Sequence, residues 1–118
     1  MSDYQVSDSG HRSTYDSGMQ REPHGEKPRF DLLVPEDIPY EEQMLTRFAA
    51  LLAKGADKYA ERNWEQAISS KEVDRMKASA FRHFMQWYCN ETDEDHAAAC
   101  MFNIMAAEST QYKINNVV

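Results

Sequence analysis

The chain has 118 residues, of which 20 are Asp or Glu and 13 are Lys or Arg, for a formal net charge of −7. That length suits one domain with a modest core, and the acidity argues against a nucleic-acid duplex or an anionic membrane as main partner, since both need a basic face. A small phosphorylated ligand stays open. No apolar run approaches the roughly 20 residues that cross a bilayer, and the start has no apolar signal-peptide core, so a cytoplasmic protein without membrane contact is expected.

Residues 1–26 are rich in Ser, Gly, Asp and His, with Val6 and two Met as the only aliphatic-type side chains. They read as a disordered tail, and 27–118 as the folded domain. Lys27–Pro35 reads as extended, because Pro28 and Pro35 disfavour helix at the residue before them; Phe30, Leu32 and Leu33 would tack it onto the body. Lys27 and Arg29 can reach a phosphate, or be simply solvated.

From Glu41 the period turns helical, with Met44, Leu45, Phe48, Leu51, Leu52, Ala56 and Tyr59 on one stripe. Gly55 interrupts it, at a cost of about 1 kcal/mol against Ala, which suggests a kink or a close contact. Lys58 and Arg62, followed by Asn63 and Trp64, can hold a phosphate and a base; alternatively Lys58 pairs with Glu61 or Glu65 and Trp64 only packs.

Ser69 or Ser70 can cap a second helix, with Glu72 early in it and Val73, Met76, Ala80, Phe84, Trp87 and Tyr88 on its core face. His83, Trp87 and Glu91 recur every four positions along one edge, with Arg82 and Gln86 beside it. Then four carboxylates crowd into five positions, Glu91, Asp93, Glu94 and Asp95, before an apolar run from Ala97 to Ala107 that only Asn103 interrupts. Helix capping, with Thr92 and Asp95 as a capping-box pair, accounts for two of these acids; a hard cation such as Mg²⁺ is the other way to relieve four. His96 and Asn103 share a face of this third helix, which runs from about Asp95 to Tyr112. Cys89 and Cys100 lack zinc-ligand spacing and read as reduced, buried thiols.

Three helices without a strand pattern give an all-α antiparallel helical bundle. Its polar inner face would collect Lys58, Asn63, Arg82, His83, Glu91, Asp95, His96 and Asn103, a mixture of cations and acids suited to a metal-bound polyphosphate. So small a core also gains from self-association, and a homo-oligomer is expected.

Four motifs in order, Arg21-Glu-Pro with Lys27-Pro-Arg-Phe-Asp-Leu-Leu, Gly55-Ala-Asp-Lys-Tyr with Asn63-Trp-Glu, Arg82-His with Trp87, and Glu91-Thr-Asp-Glu-Asp-His with Phe102-Asn103, resemble the phage MazZ-like dATP/dGTP diphosphohydrolases of the MazG-type all-α nucleoside triphosphate pyrophosphatases. The resemblance covers about residues 21–112. It implies cleavage of a deoxypurine triphosphate to monophosphate and pyrophosphate with Mg²⁺ or Mn²⁺, in a dimer or tetramer that adjusts the phage purine pool. The family's ExxE and ExxD pairs are altered here: Arg82 and His83 stand where the first would fall, and the next helix offers His96 and Asn103. The implied metal ligands are Glu91, Asp95 and His96; Lys58 and Arg82 would stabilise phosphate charge, His83 would orient or deprotonate water, and Trp64 or Trp87 would stack on the base. The altered pairs equally suit a non-catalytic nucleotide-binding or scaffold bundle. A helix-turn-helix DNA binder fits the helices but not the acidity, and Asp95-His96 reverses the order of an HD-type phosphohydrolase.

Overall fold

The computed structural model describes residues 13, 14, 17–21 and 26–117, in two compact units, residues up to Glu36 and Asp37–Val118. In the first, strands β1 (Ser13–Thr14) and β2 (Gln20–Arg21) pair antiparallel, with Ser13 opposite Arg21 and Thr14 opposite Gln20. Gly18, at φ +87°, takes the left-handed backbone that their connection uses. The remainder of the expected tail, 1–12, 15, 16 and 22–25, lies outside the described residues. Phe30–Leu33 forms a 3₁₀ turn rather than an extended segment, and Phe30, Leu32 and Leu33 are exposed instead of tacked down.

The second unit is all-helical. Helix α1 (Met44–Lys58) follows a 3₁₀ turn at Tyr40–Glu42, ends where the Tyr59 N–H donates to the Gly55 carbonyl, and is followed by Arg62 in the left-handed region. Its stripe is only half-buried: Phe48, Leu51, Leu52 and Ala56 are partly covered, and Met44 and Leu45 are exposed. Gly55 makes no close contact, since a Cβ there would meet nothing within 4 Å outside the helix's own backbone.

Helix α2 (Ser70–Tyr88) opens on a capping box: the Ser69 hydroxyl accepts from the Glu72 N–H, and the Glu72 carboxylate accepts from the Ser69 N–H. Each side chain satisfies a donor that the first turn leaves orphaned. Helix α3 (His96–Asn115) is capped by Asp95, whose carboxylate accepts from the Ala98 N–H, so Asp95 itself holds the cap position that the Thr92 pairing would have taken.

The core lies between α2 and α3. Val73, Ala80 and His83 face Ala98, Ala99, Ala106, Ala107 and Thr110, all buried. Alanines on α3 let the two helices approach closely. Covering Val73 alone is worth on the order of 1.5–3 kcal/mol. The helices are antiparallel: His83 meets His96 at one end, and the Thr110 hydroxyl meets Met76 Sδ toward the other. Helix α1 runs along α3 in the same sense, since Arg47 pairs with Asp95 near both starts and Lys113 donates to the Glu65 carbonyl beyond the end of α1.

Two further expectations are corrected. Phe84, Trp87 and Tyr88 are 43, 52 and 68% exposed, because the inner stripe of α2 runs Val73, Met76, Ala80 to His83, and the imidazole takes the place predicted for an aromatic ring. Both cysteines are free, but neither is fully buried: Cys89, in the turn after α2, is exposed, and Cys100 is half-buried.

Candidate active site

A groove of about 1090 Å³ is lined by α1, the 3₁₀ turn Asn63–Gln66, α2 and α3. Six of the candidate site residues line it: Lys58, Arg62, Asn63, Trp64, His83 and Asn103. Glu94 joins them from the loop before α3, and its nearby charge acts on the His83 ring.

His83 Nδ1 lies 2.9 Å from His96 Nδ1, His96 Nε2 lies 2.7 Å from Asp93 Oδ1, and Arg82 Nη2 lies 3.3 Å from His83 Nε2. Only one proton arrangement satisfies every link. A guanidinium only donates and an ionised carboxylate only accepts, so Arg82 donates to His83 Nε2, His83 Nδ1–H to His96 Nδ1, and His96 Nε2–H to Asp93. Burial, and secondarily the Arg82 charge, push the His83 pKa below its ordinary value, which fits a neutral ring. Asp93 is held below the usual carboxylate range, first by its hydrogen bond to His96.

Asp95 serves the frame. Arg47 Nε and Nη2 grip its two oxygens at 2.8 and 2.7 Å, and the Ala98 N–H takes Oδ1 at 3.1 Å. The Arg47 bond is the main cause that lowers its pKa. Glu91 leaves the edge defined by His83 and Trp87, because Asn90, at φ 61°, turns the chain out of α2; its carboxylate instead accepts from Gln86 Nε2 at 3.2 Å. Glu91, Asp93 and His96 each bring a ligand atom within 4.8 Å of the others, the set among the described residues with metal-ligand chemistry. The two carboxylates suit Mg²⁺ or Mn²⁺, whereas both nitrogens of His96, expected as a ligand, are taken by His83 and Asp93; the adjoining Gln86 Oε1 is buried with no partner among the described residues.

Of the other predicted residues, Trp64, Asn103 and Lys58 keep to the groove lining and Trp87 does not. Trp64 is half-buried and forms a T-shaped pair with Phe102 at 6.1 Å between ring centroids, and Trp87 packs beside Phe84 outside the groove lining. Asn103 Nδ2 donates to the Ala99 carbonyl at 2.8 Å, which leaves its Oδ1 as the acceptor. Among the described residues Lys58 pairs with no acid; its Nζ sits 5.2 Å from the Tyr59 ring centroid, and Glu65 pairs with Arg62. Lys27 and Arg29 belong to the first unit, where Lys27 is exposed and Arg29 makes a bidentate bond to Asp31.

Sequence reasoning missed Arg47, and named Gln86, Asp93 and Glu94 only as neighbours or members of the acid cluster without a role of their own. The i, i+3 spacing of Asp93 and His96 was a usable signal, whereas Arg47 and Asp95 meet across 48 positions and left none.

Three helices around a mixed-charge groove, with a buried histidine pair at one end, define an all-α protein with one composite polar site. The chain belongs to the family described as dATP/dGTP diphosphohydrolase, N-terminal, whose profile matches residues 17–116. No curated protein and no solved structure matches it. Among the described residues, no helix is long and apolar enough to cross a membrane.

Proposed function

We infer that this chain hydrolyses dATP or dGTP to the monophosphate and pyrophosphate, in the cytoplasm of a phage-infected host, where it adjusts the purine deoxynucleotide pool. The family match carries this reading, and the groove supports it with Lys58, His83, Glu94 and Asn103 on one lining.

Glu91 and Asp93 would hold Mg²⁺ or Mn²⁺ through carboxylate oxygens, and the ion would neutralise polyphosphate charge and polarise a phosphoryl oxygen, while His96, with both ring nitrogens engaged by His83 and Asp93, stays in the relay. Lys58 and Arg82 bind phosphate oxygens and stabilise the charge that builds as the α–β phosphoanhydride breaks. Arg82 now occupies the His83 Nε2 lone pair. Once the guanidinium turns to a phosphate, that nitrogen is free to take a proton from the attacking water. His96 and Asp93 hold the ring's other nitrogen and keep Nε2 as the acceptor. The active form is a homo-oligomer, a dimer or tetramer, and neither nucleic acid nor membrane takes part.

Pyrophosphate release from dGTP and dATP, with Mg²⁺ or Mn²⁺ and with chelator, tests the reading. Metal-dependent release is the expected result. Tight binding of either nucleotide with no release would favour the non-catalytic binding bundle.

A further inference from the structure

We propose that Tyr59, rather than Trp64 or Trp87, is the platform on which the purine base of the nucleotide stacks. This deepens the hydrolase reading and rests on it. The two tryptophans are otherwise engaged: Trp64, though on the groove lining, is half-buried and packed T-shaped with Phe102, and Trp87 lies beside Phe84 outside the groove lining. Tyr59 lines the groove with 64% of its surface exposed. Its ring already carries the Lys58 ammonium at 5.2 Å from the centroid, so it is within reach of a ligand-sized group.

Space beside the ring is left open by the fold. Gly55 lies four positions before Tyr59, on the same side of α1, and a Cβ there would meet nothing within 4 Å beyond the helix's own backbone. The bare backbone costs helix stability and leaves room for a flat ring.

Electrostatics set which end of the nucleotide comes here. Tyr59 caps the C-terminal end of α1, where unpaired carbonyls and the negative end of the dipole tolerate a neutral base, while the long Lys58 side chain keeps its cation for the nearest, α-phosphate. The acids and histidines cluster at the start of α3, which Arg47 ties to the first turn of α1. From Arg47 to Tyr59 is twelve residues, roughly 18 Å of helix at about 1.5 Å each, a span over which base and polyphosphate can lie apart. A purine stacked on Tyr59 therefore leaves its triphosphate free to extend toward His83 and Glu94.

The test is titration of the full chain, with Mg²⁺, by the α,β-methylene analogue of dGTP and separately by inorganic tripolyphosphate. Tyr59→Leu should weaken analogue binding about tenfold, the scale of one lost base–aromatic stack, and leave tripolyphosphate binding unchanged. Tyr59→Phe and Tyr59→Trp should bind the analogue like the wild type, and circular dichroism should find all three folded. Unchanged analogue binding by Tyr59→Leu overturns the proposal. So does an equal loss for both ligands, which would mean that the ring only positions the Lys58 cation. If the wild type binds tripolyphosphate but not the analogue, the nucleotide reading itself falls, and the proposal with it.

Discussion

His83 is the residue whose surroundings say most about its chemistry. Buried between Arg82 and His96, it has a pKa pushed below its ordinary 6.5, so the unfolded chain binds more protons than the folded one once the pH falls past that value. Stability should be insensitive to this group above about pH 6.5 and should fall as the pH drops from there toward the depressed folded value. Melting temperatures at pH 7.5 and 5.5 should show that fall in the wild type and less of it in His83→Gln. If Nε2 takes the water proton, the same variant should lose about 10²- to 10⁴-fold in kcat. A destabilised variant with near-normal kcat would return His83 to a purely structural role. Gly55 offers the opposite trade: Gly55→Ala should raise stability by roughly 0.5–1 kcal/mol in thermal unfolding, since the added methyl meets nothing, while it intrudes on the groove and weakens the dGTP analogue.

At the scale of elements, the start of α3 depends on the clamp between Arg47 and Asp95. Asparagine caps a helix about as well as aspartate, so Asp95→Asn should lose mainly the ion pair, whose two side chains are about one-third exposed, and cost up to about 1 kcal/mol in urea unfolding. Asp95→Ala also loses the cap, for roughly 1–2 kcal/mol in all. Mn²⁺ titration separates frame from ligand: Asp93→Asn should weaken metal binding strongly and Asp95→Asn only slightly, and the reverse order would make Asp95 the ligand. The three long helices were legible in the sequence; the short pieces before them were not. Ser69 and Glu72 announce the capping box, and the alanine run announces a closely packed third helix. The inner face of α2 was not, because the helix carries two apolar stripes, one through Val73, Met76 and Ala80 and one through Phe81, Phe84 and Tyr88. The buried stripe ends in a histidine that counts as polar until His96 is seen to satisfy it. Contacts such as Arg47 with Asp95 are set by how helices cross, which no local pattern records.

The unsatisfied stripe matters at the scale of the molecule. Phe81, Phe84 and Tyr88 stand exposed on the outer side of α2, and a shallow depression lined by Phe81, Phe84, Cys100 and Ile104 carries the apolar surface onto α3. Phe84 stacks with Tyr88 at 6.2 Å, so the rings form one patch rather than scattered side chains. Contiguous apolar surface of this kind is normally covered, and a stable pair of chains needs roughly 800 Å² on each partner. In the oligomer read for this protein, α2 and α3 of two chains would face each other here. Sedimentation should therefore find the wild type above the 13.7 kDa of one chain. Phe81→Glu should sediment as a monomer with its helical circular dichroism intact, because Phe81 is 68% exposed and adds little to the chain's own core. A wild type that sediments as a single chain at micromolar concentration would leave the aromatic stripe without a partner copy, and an oligomer that survives Phe81→Glu would move the interface to another face.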